Sequence, residues 1–221
     1  MAAWTTATRV DAAGVDLTGD LTVPAGASGL VLFAHGSGSS RHSPRNQAVA
    51  AALHRRPVAT LLIDLLTADE ELVDVQTRRL RFDIGLLADR LIGAIDWLRA
   101  QPETQPQPVG LFGASTGAAA ALIAAAARPE AVRAVVSRGG RPDLAGPALT
   151  EVEAPTLLIV GERDQQVLDL NEQARNTMSV AAELRIIPGA THLFEEPGAL
   201  EQVAEEAGGF FADHFGRPTV T

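Results

Sequence analysis

Cysteine is missing from all 221 residues. Without a thiol there is no disulfide framework, no thiolate metal site and no cysteine nucleophile. Tyrosine is missing as well, and aromatic residues make up only 4% of the chain. So few rings argue against a stacking face for sugars or single-stranded nucleic acid. Lys and Arg form no run, and the formal net charge is −9. That field repels polyanions, so no nucleic-acid partner is expected, and nothing marks an anionic membrane surface. No apolar stretch approaches the roughly 18 residues of a membrane helix. The Ala-rich run from Ala118 to Ala127 suits a buried helix instead. The start, Met1 to Thr6, lacks a basic segment followed by an apolar one, so no secretory signal is expected and the reading is cytoplasmic. The histidines, His35, His42, His54, His192 and His214, are scattered without ligand spacing, so neither metal nor cofactor is expected.

What the chain does have is apolar mass, 46% of its residues, enough for one domain over 1–221 with an aliphatic core. Val15 to Val23 alternates apolar with polar residues and reads as a half-exposed strand. Gly29–Ala34, Val58–Leu65, Val109–Phe112, Ala134–Ser137 and Pro155–Val160 are short apolar runs, and Leu184–Ile187 is a last strand. Helical spacing appears over Asn46–Arg55, Asp83–Arg99, Thr116–Ala127, Val167–Met178 and Gly198–Phe215. Residues 67–81 read as a long surface loop or short helix. Strands alternating with helices predict an α/β fold: a mostly parallel sheet covered on both faces, with no large lid. Functional loops then lie at the carboxyl ends of the strands.

Three of those ends carry candidate chemistry. Gly113-Ala114-Ser115-Thr116-Gly117 joins a strand to a helix, the arrangement of a nucleophile elbow. Its glycines allow a turn too sharp for side chains, and Ser115 projects from it. A serine needs a base, and His192 follows the last strand in Gly189-Ala190-Thr191-His192. A carboxylate must hold that imidazole, and Asp164 follows the strand before it. Glu162 is the nearest competitor, and capping of the next helix is the alternative role for Asp164. The order serine, acid, histidine matches the hydrolase arrangement. For the developing oxyanion, the expected donors are the backbone N–H groups of Thr116 and of Ser37, in the loop His35-Gly36-Ser37-Gly38. His35 is expected to support that loop through a side-chain hydrogen bond.

Gly36-x-Gly38 with Asp64 after the next strand also suggests a dinucleotide fingerprint, but Arg41 occupies the third glycine position. Arg41, Arg138 and Arg141 follow strand ends, and Gly36 lies beside them. Together they suggest a substrate-binding edge, with arginines able to take an anionic group.

With these residues in view, the chain resembles α/β-hydrolases of the dienelactone-hydrolase-like group. His35-Gly36, the Gly113–Gly117 elbow, Gly161–Asp164, Gly189–Phe194, FDIGLLADRL (82–91) and VVSRGGRPDL (135–144) carry the resemblance across nearly the whole chain. It implies a single-domain hydrolase acting on a small-molecule ester. The group's cysteine nucleophile is replaced here by Ser115, so a small or medium carboxylic ester is expected rather than a dienelactone. Acyl transfer to another acceptor (an acyltransferase or perhydrolase) and a non-catalytic binding protein are the alternatives. Oligomeric state is not legible.

Overall fold

The computed structural model describes residues 4–12 and 14–216. The single-domain reading of 1–221 also takes in residues 1–3, 13 and 217–221, which lie outside the described residues, as does the first part of the segment read as carrying no signal. The chain runs β1 (Trp4–Ala12), β2 (Val15–Val23), β3 (Leu30–Ala34), α1 (Pro44–His54), β4 (Ala59–Ile63), α2 (Ala68–Thr77) and α3 (Ile84–Ala100). It continues with β5 (Val109–Ala114), α4 (Thr116–Ala127), β6 (Val132–Arg138), β7 (Thr156–Gly161), α5 (Gln165–Thr177), β8 (Ala182–Ile187) and α6 (Ala199–Phe215). Short 3₁₀ turns cover Leu80–Phe82 and Pro142–Glu151, the second kinked at Gly146.

One sheet of eight strands results, in the order β1-β2-β4-β3-β5-β6-β7-β8. β1 and β2 form an antiparallel hairpin, β2 pairs antiparallel with β4, and every later pairing is parallel. The expected α/β architecture, mostly parallel with helices on both faces, is therefore present. Every residue of β3, β4, β5 and β7 is buried, as continuous apolar runs require of strands covered on both sides. One face packs against α3 and α4, the other against α1 and α6, where Phe33 and Phe112 meet with ring centroids 4.9 Å apart. Among the described residues no helix is long and apolar enough to cross a membrane.

Two elements go beyond the sequence reading. β1 precedes the first expected strand; only Val10 and Ala12 of its nine residues are buried, so its outer half carries almost no apolar signal. The stretch read as a loop or short helix contains α2, begun by a full capping box. Thr67 Oγ1 accepts from the Glu70 N–H, and Glu70 accepts from the Thr67 N–H. That Thr-x-x-Glu pattern is visible in the sequence.

The topology fixes where chemistry can occur. From β3 the chain crosses to β4 on one side, and from β5 it crosses to β6 on the other. The crevice between the carboxyl ends of β3 and β5 is thus a switch point, where open α/β sheets bind ligands.

Candidate active site

Ser115 stands in that crevice, between β5 and α4, at φ 51° and ψ −121°. A non-glycine residue there stores about 1–3 kcal/mol of strain, which the surrounding packing must hold. The packing is close: a Cβ on Gly113 would lie 2.4 Å from Ala118 Cα, and one on Gly117 would lie 2.3 Å from the Ala34 carbonyl oxygen. Neither site accepts a side chain, so the tight turn depends on both glycines. α4 is buried along its length, and its alanines let it lie flat against the sheet.

The β3 end supplies the facing loop. A Cβ on Gly36 would sit 3.1 Å from Ser115 Cβ, so Gly36 forms the wall nearest the serine. His35 braces this loop as expected. Its Nδ1–H donates to the Gly36 carbonyl at 2.9 Å, while Nε2 accepts the Leu65 N–H at 3.1 Å, which defines a neutral tautomer. Burial pushes the His35 pKa down, against the raising effect of the Gly36 carbonyl, Asp64 and Glu71. The Ser37 N–H is already engaged: it donates to Thr116 Oγ1 at 3.0 Å. Sequence reasoning did not foresee this contact.

The last element of the constellation hangs from β7 and β8. His192 Nδ1 lies 2.5 Å from Asp164 Oδ2. Asp164 occupies the residue before α5, yet its side chain makes no capping bond, so the carboxylate faces the imidazole instead. Glu162 has a different task, accepting the Gly189 N–H at 2.7 Å, and Glu196 accepts the Thr191 N–H at 3.1 Å. These carboxylates hold the loop that carries the histidine. The Glu196 pKa is lowered by its hydrogen bonds to Thr191. The His192 ring reaches Gly139: a Cβ there would meet His192 Cε1 at 3.6 Å. The adjoining residue, Arg138, accepts the Ser115 N–H on its carbonyl at 3.3 Å. Serine and histidine thus flank the same two residues. Among the described residues no hydrogen bond joins the Ser115 hydroxyl to the imidazole. Such bonds are often long before substrate binds.

The arginines separate into two kinds. Arg41 is bound to Asp64 through both its Nη1 and its backbone N–H, and its Nε lies 3.3 Å from Asp20. It is a strut tying the loop after β3 to β4 and β2. Arg141 pairs with Asp143 at 2.8 and 2.7 Å. Arg138 is buried and has no carboxylate partner among the described residues. A cavity of about 580 Å³ opens beside the loop after β3, bounded by His35, Gly38, Asp64 and Glu71.

A model of the dienelactone hydrolase family matches residues 66–213, well over half of the chain. The chain belongs to the dienelactone hydrolase family. A crystal structure of a dienelactone hydrolase from Anabaena variabilis ATCC 29413 is 58% identical, covers 97% of this chain and 99% of its own, and superposes with a TM-score of 0.95. Est1E from Butyrivibrio proteoclasticus, 17% identical over 96% of this chain and 99% of its own, shares the fold with a TM-score of 0.79. A protein of Mycobacterium tuberculosis H37Rv, named provisionally as a phosphoribosyl transferase, is 58% identical over 210 residues, 95% of this chain. The chain spans 46% of that relative's length. The family and the fold are those of dienelactone hydrolases.

Proposed function

We propose that the protein is a serine hydrolase that cleaves a small or medium carboxylic ester through Ser115, His192 and Asp164. The observation that supports this most is the 2.5 Å contact between His192 and Asp164, made by a residue placed to cap a helix, beside a serine held at positive φ on a strand-to-helix turn. In this reading His192 Nε2 takes the Ser115 proton as the hydroxyl attacks the ester carbonyl. Asp164 keeps the proton on Nδ1 and stabilises the imidazolium. The tetrahedral oxyanion rests on the N–H groups of Thr116 and Ser37, and the Ser37 N–H exchanges the Thr116 hydroxyl for the substrate oxygen. His192 then protonates the departing alcohol. Water repeats the steps on the acyl-enzyme and frees the acid.

The transferase name of the M. tuberculosis relative belongs to a protein of which this chain spans 46%, and the proposed chemistry concerns that matched part. Hydrolysis of p-nitrophenyl esters of graded acyl length tests the reading. Turnover that falls at least about 10⁴-fold in Ser115→Ala supports it; turnover that survives the substitution refutes it. Product analysis with added alcohol or peroxide separates hydrolysis from acyl transfer.

A further inference from the structure

A surface helix ordinarily buries its apolar stripe and exposes its charges. α2 does the reverse. Its buried residue is a carboxylate, Asp74, which accepts the Leu80 and Arg81 N–H groups. Its apolar side chains stand in water: Leu72 is 70% exposed, Val73 55% and Val75 63%. Phe82, in the 3₁₀ turn that follows, is 56% exposed. These four are half of the eight large apolar residues exposed among the described residues, and all fall between positions 72 and 82. Single exposed apolar residues need no explanation, but a cluster ringed by charge marks an interaction surface. Nor is α2 a frayed segment, since its capping box fixes the start and Asp74 holds the chain beyond its end.

The charges around this face are sorted by end. In the first turn Glu70 pairs with Arg90 at 2.8 Å and Glu71 lies 4.0 Å from Arg81. Asp69 is left without a cation among the described residues. At the other end Arg78 and Arg79, both exposed, have no carboxylate among the described residues. Leu72 and Val75, three apart, share one stripe of the helix midway between these ends.

We propose that α2 docks a second copy of this chain, the two α2 helices packing antiparallel about a twofold axis. That packing sets Leu72 of each copy against the partner's Val75. It also brings each Asp69 to the partner's Arg78 and Arg79. The face is self-complementary, as an isologous interface requires. A lipid surface would satisfy one end only, and parallel packing would set acid against acid. Antiparallel packing also opposes the two helix dipoles. One apolar stripe is small beside the roughly 800 Å² per partner of a standard interface, so the association is concentration-dependent. The proposal does not depend on the reading of Ser115.

Sedimentation velocity from about 1 to about 500 μM chain tests it. The protein should pass from monomer to dimer across that range. Leu72→Glu changes a side chain already in water, so the melting temperature should stay within about 2 °C. Its dimer dissociation constant should nevertheless rise at least about 10-fold. Asp69→Arg alone and Arg78→Glu/Arg79→Glu alone should each weaken the dimer similarly, because like charges then meet at both ends. An equimolar mixture of those two variants should associate, since the mixed pair regains opposite charges at both ends; a folding defect would not be repaired by mixing. A monomer at the highest concentration, a dimer indifferent to Leu72→Glu, or a mixture no tighter than its components overturns the proposal. So does a chain that stays monomeric and floats with phospholipid vesicles, which would assign α2 to lipid.

Discussion

Asp164 stands where α5 begins, leaves that helix without a side-chain cap, and places Oδ2 at 2.5 Å from His192 Nδ1. The carboxylate has therefore been taken from a local stabilising role and given to a residue of a distant loop. Asp164→Asn should leave the melting temperature nearly unchanged, since no cap is lost, while lowering kcat by about 10³–10⁴-fold through the wrong histidine tautomer. Circular dichroism and ester kinetics check both halves.

Ser37 and Thr116 give a second prediction. The Thr116 hydroxyl accepts the very N–H that the proposed oxyanion needs. Thr116→Val leaves that donor unpaired in the free protein and available in the transition state. The melting temperature should drop by about 2–4 °C for a loss of about 1 kcal/mol, while turnover stays within about threefold. Turnover that drops by about 100-fold or more, the scale of a lost oxyanion donor, would mean that the hydroxyl itself serves the reaction.

His35 links the same loop to the end of β4, and burial keeps it neutral. In the unfolded chain it takes up a proton near its ordinary value of 6.5, whereas in the fold it does so only at lower pH. Its contribution to stability is therefore complete above about pH 6.5 and declines as the pH falls below it. His35→Gln should flatten the melting temperature between pH 7 and 5 and reduce kcat about 10- to 100-fold by loosening the loop. Melting curves across that range provide the check.

Asp74 acts in the same direction, because its folded-state pKa is lowered too. Its side chain has no exposed surface. It accepts the Leu80 N–H at 2.7 Å and the Arg81 N–H at 3.2 Å, and it pairs with Arg81 Nε. Burial raises its pKa, but these bonds and the Arg81 charge outweigh it and the result is lowered. Stability from this group is present above its ordinary value of 3.8 and disappears as the pH falls through the lower, folded one. Asp74→Asn should lower the melting temperature at neutral pH and weaken its acid dependence. Arg81 Nη1 lies 3.1 Å from where a Gly38 Cβ would be, so loosening of the loop after β3 should accompany the change.

How much of this was legible in the sequence depends on the range of the interaction. The elbow is local: Gly113, Ser115 and Gly117 are dictated by one turn, and the strand and helix around it announce themselves by periodicity. The preference for Asp164 over Glu162 followed from loop reach, and the structure shows Glu162 occupied with Gly189. β1 was missed because an edge strand with two buried residues has little pattern to read. The arginines were indistinguishable in sequence. Arg41 and Arg138 both lie at strand ends, and only folding brings Asp20 and Asp64 to the first and leaves the second without a carboxylate among the described residues. The Ser37–Thr116 contact likewise joins two loops brought together by the β3–β5 pairing.

The central claim is that Ser115 is a nucleophile activated by His192. It is tested most directly by treating the protein with a fluorophosphonate and locating the adduct by peptide mass spectrometry. The account predicts one phosphonyl group per chain, on Ser115, formed far more slowly in His192→Ala. An unmodified Ser115 in folded protein, or labelling as fast without the imidazole as with it, would contradict it.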